Sequence, residues 1–267
     1  MKQRLDKALV ERGLVSTRSQ ADNFIRLGYV YLNKKVAQKS GVMVSDTNKI
    51  TLEKAETYVS RAGLKLASVA KYFKLNFQDK TVLDIGSSTG GFTDYSLRHG
   101  AKKVFAVDVG TNQLAWKLRQ DPRVVSMEQF NFRYAEKTDF EQEPSFASID
   151  VSFISLSLIL PALHRVLADQ GQVVALVKPQ FEAGREQIGK NGIIRDAKVH
   201  QTVLESFTAM AVDQGFSVLG LDYSPIQGGH GNIEFLAYLK KEEGASNQVV
   251  PEIEKVVERA HREFKDE

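Results

Sequence analysis

From Thr81 to Lys240, short apolar runs rich in β-branched residues alternate with longer amphipathic segments, and this alternation constrains the fold more than any other feature of the chain. Strands are predicted over Thr81–Ile85, Lys103–Val107, Ser148–Ile154 and Gln172–Val177, with helices over Phe92–Arg98, Gln113–Arg119, Leu156–Leu167 and Val199–Gln214. The segments Phe216–Tyr223 and Ile233–Lys240 read as a closing pair of strands. Near-continuous apolar strands separated by helices require a mainly parallel sheet covered on both faces, because parallel neighbours need a long crossover. The expected class is therefore α/β, with any ligand at the carboxyl ends of the strands.

Ahead of this body lies a segment of different character. Residues 1–54 hold 11 Lys and Arg against 5 Asp and Glu, whereas the other 213 residues hold 25 against 28. Leu5, Ala8 and Leu9 recur at helical spacing up to Gly13, and a second helix carries Ala21, Phe24 and Ile25 up to Gly28. Tyr29–Leu32 alternates like a strand, and two more short apolar segments follow between Val42 and Leu52. The result is a small basic α+β module, whose local charge suits a polyanion because neutralised phosphates release their counterions. The expected division is a module at 1–54, a connector at 55–60 and the α/β domain at 61–267, opened by an amphipathic helix from Arg61 to Phe73. A charged amphipathic helix closes the chain, packing through Ile253, Val256 and Val257.

Composition narrows the chemistry. With no cysteine among 267 residues, disulfide scaffolds, thiolate metal sites and cysteine nucleophiles are excluded. The most hydrophobic stretch, Phe153–Leu163, is interrupted by serines and a proline and falls short of the roughly 18–20 apolar residues that span a bilayer. No secretory signal is visible, and the expected location is cytoplasmic.

The first predicted strand ends in Asp84-Ile85-Gly86-Ser87-Ser88-Thr89-Gly90-Gly91, where glycines allow backbone to approach a ligand closely. Asp108, at the end of the next strand, is placed to accept both ribose hydroxyls of a nucleoside cofactor. Ser87, Ser88 and Thr89 either bind that cofactor or cap the following helix, and Glu128 or Asn131 either meets an adenine or is a plain surface-loop residue. The glycine spacing resembles the D-x-G-x-x-x-G turn of S-adenosylmethionine methyltransferases, not the G-x-G-x-x-G of dinucleotide enzymes. Asp84, Gly86, Ser87, Ser88, Gly90, Gly91 and Asp108 are thus the expected cofactor residues.

Four ionisable residues converge through this topology. Asp150 and Lys178 end successive strands, Glu234 opens the last strand pair, and Lys65 lies on the helix before the first strand. In order and context they resemble the Lys-Asp-Lys-Glu tetrad of FtsJ-like ribose 2′-O-methyltransferases. A ribose hydroxyl is a poor nucleophile unless its proton has an acceptor, and a lysine amine can accept it only in its neutral form. Lys178 is the expected general base, Lys65 the like charge that favours the neutral amine and positions the acceptor, Asp150 the orienting carboxylate and Glu234 a second anchor. No metal is expected.

The segments Arg61–Leu66, Asp84–Asp94, Asp150–Ser155, Leu176–Glu182 and Gly231–Phe235 together resemble the TlyA (hemolysin A) family. Likewise Arg4-Leu5-Asp6, Gly13-Leu14-Val15, Arg18–Ala21 and Gly28-Tyr29-Val30 resemble the RNA-binding domain named after ribosomal small-subunit protein four. These resemblances imply a Rossmann-like methyltransferase sheet, S-adenosyl-L-methionine as cofactor and cytidine 2′-hydroxyls of ribosomal RNA as acceptors. They also make Arg4, Arg18, Arg26, Lys34 and Lys35 candidate RNA contacts, and they imply a linker role in cofactor binding. Here that linker is Tyr58-Val59-Ser60-Arg61, which departs from the family's Arg-Ala-Trp-Val-Ser form. Two other readings fit less well: a non-catalytic ribosomal-RNA-binding factor, against which the intact tetrad argues, and a membrane-lysing protein, which lacks a spanning segment. Gly184–Arg195 reads equally as a lid or a plain glycine-rich loop, and His230 as a loop residue.

Overall fold

The structure, a computed structural model, describes residues 2–264 except 27, 28, 34, 38 and 53–57, and not the side chains of Asn23, Arg26, Val36, Lys190 and His230. Gly28, Lys34 and the side chains of Arg26 and His230, singled out above, thus lie outside the described residues. Two compact units are formed, Met1–Thr57 and Tyr58–Glu267. Tyr58, Val59 and Ser60, expected in the connector, belong to the second unit.

The first unit contains β1 (Gln3–Arg4), α1 (Leu5–Glu11), α2 (Arg18–Arg26), β2 (Val30–Leu32), β3 (Lys35–Val36), β4 (Met43–Val44) and β5 (Ile50–Leu52). Antiparallel β3-β2-β5 and the β1–β4 pair are covered by the two helices, whose Leu5, Leu9, Phe24 and Ile25 meet Val30, Val44 and Ile50 in one small core. Gly13 takes a φ of 68°, which lets the chain turn sharply behind α1.

The second unit runs α3 (Ala62–Tyr72), β6 (Thr81–Ile85), α4 (Gly91–Arg98), β7 (Lys103–Val107), α5 (Trp116–Arg119), β8 (Val124–Met127), β9 (Phe146–Ile149), α6 (Leu160–Val166), β10 (Gln172–Val177), α7 (Pro179–Glu182), α8 (Ala197–Asp213), β11 (Phe216–Tyr223), β12 (Phe235–Lys241) and α9 (Ile253–Glu263). Seven strands form one sheet in the order β11-β12-β10-β9-β6-β7-β8. Strands β6 to β10 are mutually parallel, and β12 enters antiparallel between β10 and β11. Period-two alternation sends Leu83 and Ile85 of β6 into the core under α6, α8 and α9, and Val82 into the core under α3 and α4. The tail helix α9 buries Ile253, Val256, Val257 and Ala260.

Several predicted elements differ in their bounds: the helix predicted from Leu156 is a 3-10 turn at Leu156–Leu158 followed by α6, and the strand predicted from Ile233 starts at Phe235. The third predicted strand, Ser148–Ile154, is instead β9 at 146–149; beyond it the backbone leaves the sheet, and Phe153 sits at φ 62° with 91% of its surface exposed. An apolar run mimics strand continuation, although its aromatic residue points to solvent. The helix predicted from Gln113 starts only at Trp116, because Ala115 donates its N–H to the carbonyl of Thr89 and is held to the glycine turn.

Candidate active site

At the end of β6 the chain reverses at Gly86, with φ 80°. A Cβ here would run into the carbonyl oxygen of Asp150, so the turn needs glycine for both conformation and space. The N–H groups of Gly86 and Ser87 both donate to the carbonyl of Val107, 2.9 and 3.0 Å, fixing the turn against β7. Ser88 N–H donates to Asp108 Oδ2 and Gly110 N–H to Asp108 Oδ1, each at 2.8 Å, so the Asp108 carboxylate is aimed before any ligand arrives. Gly90 caps α4 with φ 97°. At Gly91 a side chain would strike Ser60 and Gly63, so this glycine is where α4 crosses the start of α3. Glu128 is paired with Arg119 and Asn131 caps the turn at Arg133, so both residues of the expected adenine edge are engaged with protein groups.

Asp84 is fully buried beneath this turn. It accepts hydrogen bonds from Thr93 Oγ1 at 2.7 Å and Ser148 Oγ at 3.2 Å. Burial pushes its carboxyl up to about 7, the charge of Asp150 adds to the rise, and the two hydroxyls restrain it. Between the turn and β9 opens a cleft of about 250 Å³, whose lining includes Ser60, Asp84, Gly86, Ser88, Asp150 and Lys178. Ser60 reaches it because the end of the linker is docked: Val59 N–H donates to Asp94 Oδ2 at 2.9 Å, and Tyr58 packs on Tyr95 and under Arg98. A larger hollow of about 680 Å³ opens at the opposite ends of β10 and β11 among Asp169, Asp213, Glu242 and Glu243.

The four tetrad residues form two ion pairs. Lys178 Nζ lies 2.7 Å from Asp150 Oδ1 and donates to Ser152 Oγ at 2.8 Å. Lys65 Nζ donates to Glu234 Oε2 at 2.6 Å. Asp150 is anchored by its own N–H, which donates to the carbonyl of Ile85 at 2.9 Å. Register brings the pairs to neighbouring strand ends: Val177 faces Phe235 across β10 and β12, so Lys178 follows and Glu234 precedes the last matched residues. Both lysines and Glu234 are buried, an arrangement tolerated because each charge has a partner. The like-charge relation between the lysines expected from sequence is thereby offset within each pair.

Several participants lie within the family-like segments but outside the expected catalytic and cofactor residues. Ser152 is the second partner of Lys178. Glu182 accepts from Ser155 Oγ at 2.7 Å and Leu156 N–H at 2.8 Å, tying α7 to the loop after β9. Phe153 packs on Phe181 with ring centres 5.0 Å apart, leaving an aromatic ledge beside Lys178. Asn232 accepts from Ile194 N–H at 3.1 Å and donates to Gly192 O at 3.0 Å, which latches segment 184–195 to the loop before Glu234.

In the first unit, Arg4 and Arg18 converge on buried Asp6, at 3.1 and 2.8 Å. Burial opposes the Asp6 charge, but the hydrogen bonds from Arg4 and Arg18 outweigh it and hold the carboxyl down at about 2. The arginines remain more than half exposed, and Lys35 is an exposed residue of β3. Among the described residues no group of three or more His, Cys, Asp or Glu could hold a metal ion, and no helix is long and apolar enough to cross a membrane.

A doubly covered parallel sheet with one antiparallel intruder, a glycine turn over a buried aspartate and a second carboxylate at the end of the neighbouring strand define a Rossmann-like methyltransferase fold. The comparisons agree. The model of the FtsJ-like methyltransferase family matches residues 58–241, and that of the S4 domain matches residues 3–50. The chain is 53% identical to "Putative rRNA methyltransferase YqxC" of Bacillus subtilis, over 99% of this chain and 96% of that one. It is 38% identical to 16S/23S rRNA (cytidine-2′-O)-methyltransferase TlyA of Mycobacterium tuberculosis, over 89% of each. A solved structure titled "Putative hemolysin from Streptococcus thermophilus" superposes with a TM-score of 0.78 at 59% identity, covering 99% of this chain and 98% of that one. The chain belongs to the FtsJ-like methyltransferase family, in the TlyA group that carries an S4 domain.

Proposed function

We propose that this enzyme transfers the methyl group of S-adenosyl-L-methionine to the 2′-hydroxyl of cytidine in ribosomal RNA, the S4 unit supplying affinity for the RNA. The acceptor class comes from the relatives named above; the observation that carries the chemistry is Lys178, held between Asp150 and Ser152 at the rim of the glycine-turn cleft. The residues fit the cofactor: the backbone of Gly86 to Thr89 lines the cleft without a bulky side chain, buried Asp84 offers a carboxylate to a cationic group, and Asp108 offers lone pairs to ribose hydroxyls. When bound, the cofactor supplies an electrophilic methyl on a sulfonium.

The protein then provides alignment and a proton path. Lys178 Nζ is the acceptor for the 2′-hydroxyl proton as the oxygen attacks, while Asp150 and Ser152 fix its direction. Lys65, restrained by Glu234, stands at the neighbouring strand end to position the ribose. The exposed ring of Phe153 offers a face on which the target base can stack once turned out of its helix. Holding hydroxyl and methyl in line supplies most of the acceleration.

Labelled methyl transfer to unmodified small and large ribosomal subunits tests this. Ribose label on cytidine that falls by about 100- to 10,000-fold in Lys178→Ala is the expected result. Absence of label on either subunit and on free RNA, with the cofactor still bound, would instead favour a non-catalytic RNA-binding role.

A further inference from the structure

Loop 150–156 is held at both ends and strained between them. Asp150 is fixed by its N–H on the carbonyl of Ile85 and by Lys178, and Leu156 is buried in the core. Among the described residues, the N–H groups from Val151 to Ser155 donate to no backbone carbonyl. In the middle stands Phe153, a bulky residue at φ 62° with its ring in solvent. Such a side chain in the left-handed region costs free energy and persists only where its surroundings over-determine it, so these positions concentrate at functional sites.

Glu182 is what sets the far end of this loop against α7. From the last position of that helix its Oε2 accepts from Ser155 Oγ at 2.7 Å and its Oε1 from Leu156 N–H at 2.8 Å. Two bonds on one planar carboxylate fix a geometry where a single bond would leave a pivot. Ser155 Oγ also takes the N–H of Ser157, so the clasp includes the turn in which the chain resumes its helix. Phe181, the residue before Glu182, is the ring on which Phe153 packs. We infer that Glu182 is a positioning residue for base recognition: by clasping Ser155 and Leu156 it holds Phe153 on Phe181 and keeps the stacking face set before RNA arrives. This deepens, and rests on, the stacking role given to Phe153 above. A face ordered in advance loses less conformational entropy on binding. Asp150, anchored independently, keeps its contact with Lys178 when the clasp is lost, so Glu182 acts on the base and not on the proton.

The test is a double-variant cycle in the full chain, read as kcat/KM for methylation of unmodified ribosomal subunits. Glu182→Ala and Phe153→Ala should each fall about tenfold, the scale of one base–aromatic stack. Their combination should fall no further than Phe153→Ala alone, because the clasp then has no ring to hold. A role in folding alone would lower activity equally in both backgrounds. Glu182→Gln, whose amide can donate to Ser155 Oγ and accept from Leu156 N–H, should recover most of the activity. Calorimetric titration with S-adenosylmethionine verifies that each variant still binds cofactor; Ser155→Ala, which opens the clasp from its other side, replaces Glu182→Ala if that variant does not. Losses that multiply in the double variant, an Ala variant at position 182 or 153 as fast as wild type, or a Gln variant as slow as Glu182→Ala would each overturn the inference and leave methyl transfer standing. A wild type that methylates no RNA ribose would remove the underlying function and this inference with it.

Discussion

Asp84 shows how one buried residue couples the fold to its ligand. Its carboxyl, raised to about 7 chiefly by burial, binds a proton in the folded state that the unfolded chain has already lost at that pH. The sign follows: as pH rises from about 4 through about 7, the unfolded state holds fewer protons than the native one, so this residue removes stability from the ligand-free protein. A cationic group in the cleft favours the ionised form. Cofactor affinity should therefore tighten as pH rises through about 7, as calorimetric titration at pH 6 and pH 8 would reveal. Asp84→Asn should abolish that pH dependence, weaken binding and raise the melting temperature of the ligand-free protein at pH 8. A variant that bound as tightly as wild type would show that the carboxylate serves only Thr93 and Ser148.

Among the elements, two junctions invite measurement. Where α8 meets α9, His200 is buried, with its Nδ1 2.8 Å from His261 Nε2. Burial first, and the neighbouring His261 second, push its pKa down to about 4, with Asp196 acting in the opposite sense. A histidine depressed in this way is neutral when folded and charges on unfolding; its contribution is complete above about 6.5 and is lost as pH falls toward 4. Denaturant titrations should show about 2 kcal/mol less stability at pH 5 than at pH 7 from this group, and His200→Gln should flatten that slope. On the loop after β9, Phe153 is exposed and carries little of the core, so Phe153→Ala should leave stability and cofactor binding unchanged. RNA methylation should fall about tenfold or more, the scale of one base–aromatic stack.

The same elements show what sequence pattern can and cannot reveal. Thr81–Ile85, Lys103–Val107, Gln172–Val177 and Phe216–Tyr223 are legible to the residue, because buried strands bounded by turn-forming residues leave unambiguous apolar runs. The run after Ile149 misleads, because apolar character does not distinguish a core strand from a loop whose aromatic side chain is exposed. The four tetrad residues are legible as a set, yet their pairing is not. Which carboxylate holds which lysine depends on β12 entering beside β10, a choice made across 169 residues between Lys65 and Glu234. The clasp of Glu182 is invisible, since only three-dimensional packing shows that it meets Ser155 and Leu156.

For the whole molecule, the proposed division of labour assigns affinity to the first unit and chemistry to the second. Arg4 and Arg18 present exposed guanidinium groups from a shared anchor on Asp6, which limits the side-chain entropy lost on binding phosphate. Arg4→Ala with Arg18→Ala should weaken RNA binding across sequences and lower the slope of log affinity against log salt by about one to two. The turnover rate at saturating RNA should not change. A double variant that lost kcat while keeping its RNA affinity would contradict that division.

The place of β12 in the sheet bears on how the protein is made. It lies between β10 and β11 although it is the last strand among the described residues, and it delivers Glu234 to Lys65. While synthesis has not passed Lys241, β10 is an open edge, and the site lacks one of its two charge pairs. A nascent chain already carrying its complete S4 unit therefore has an unfinished sheet edge, open to pairing with other chains until the final hairpin closes.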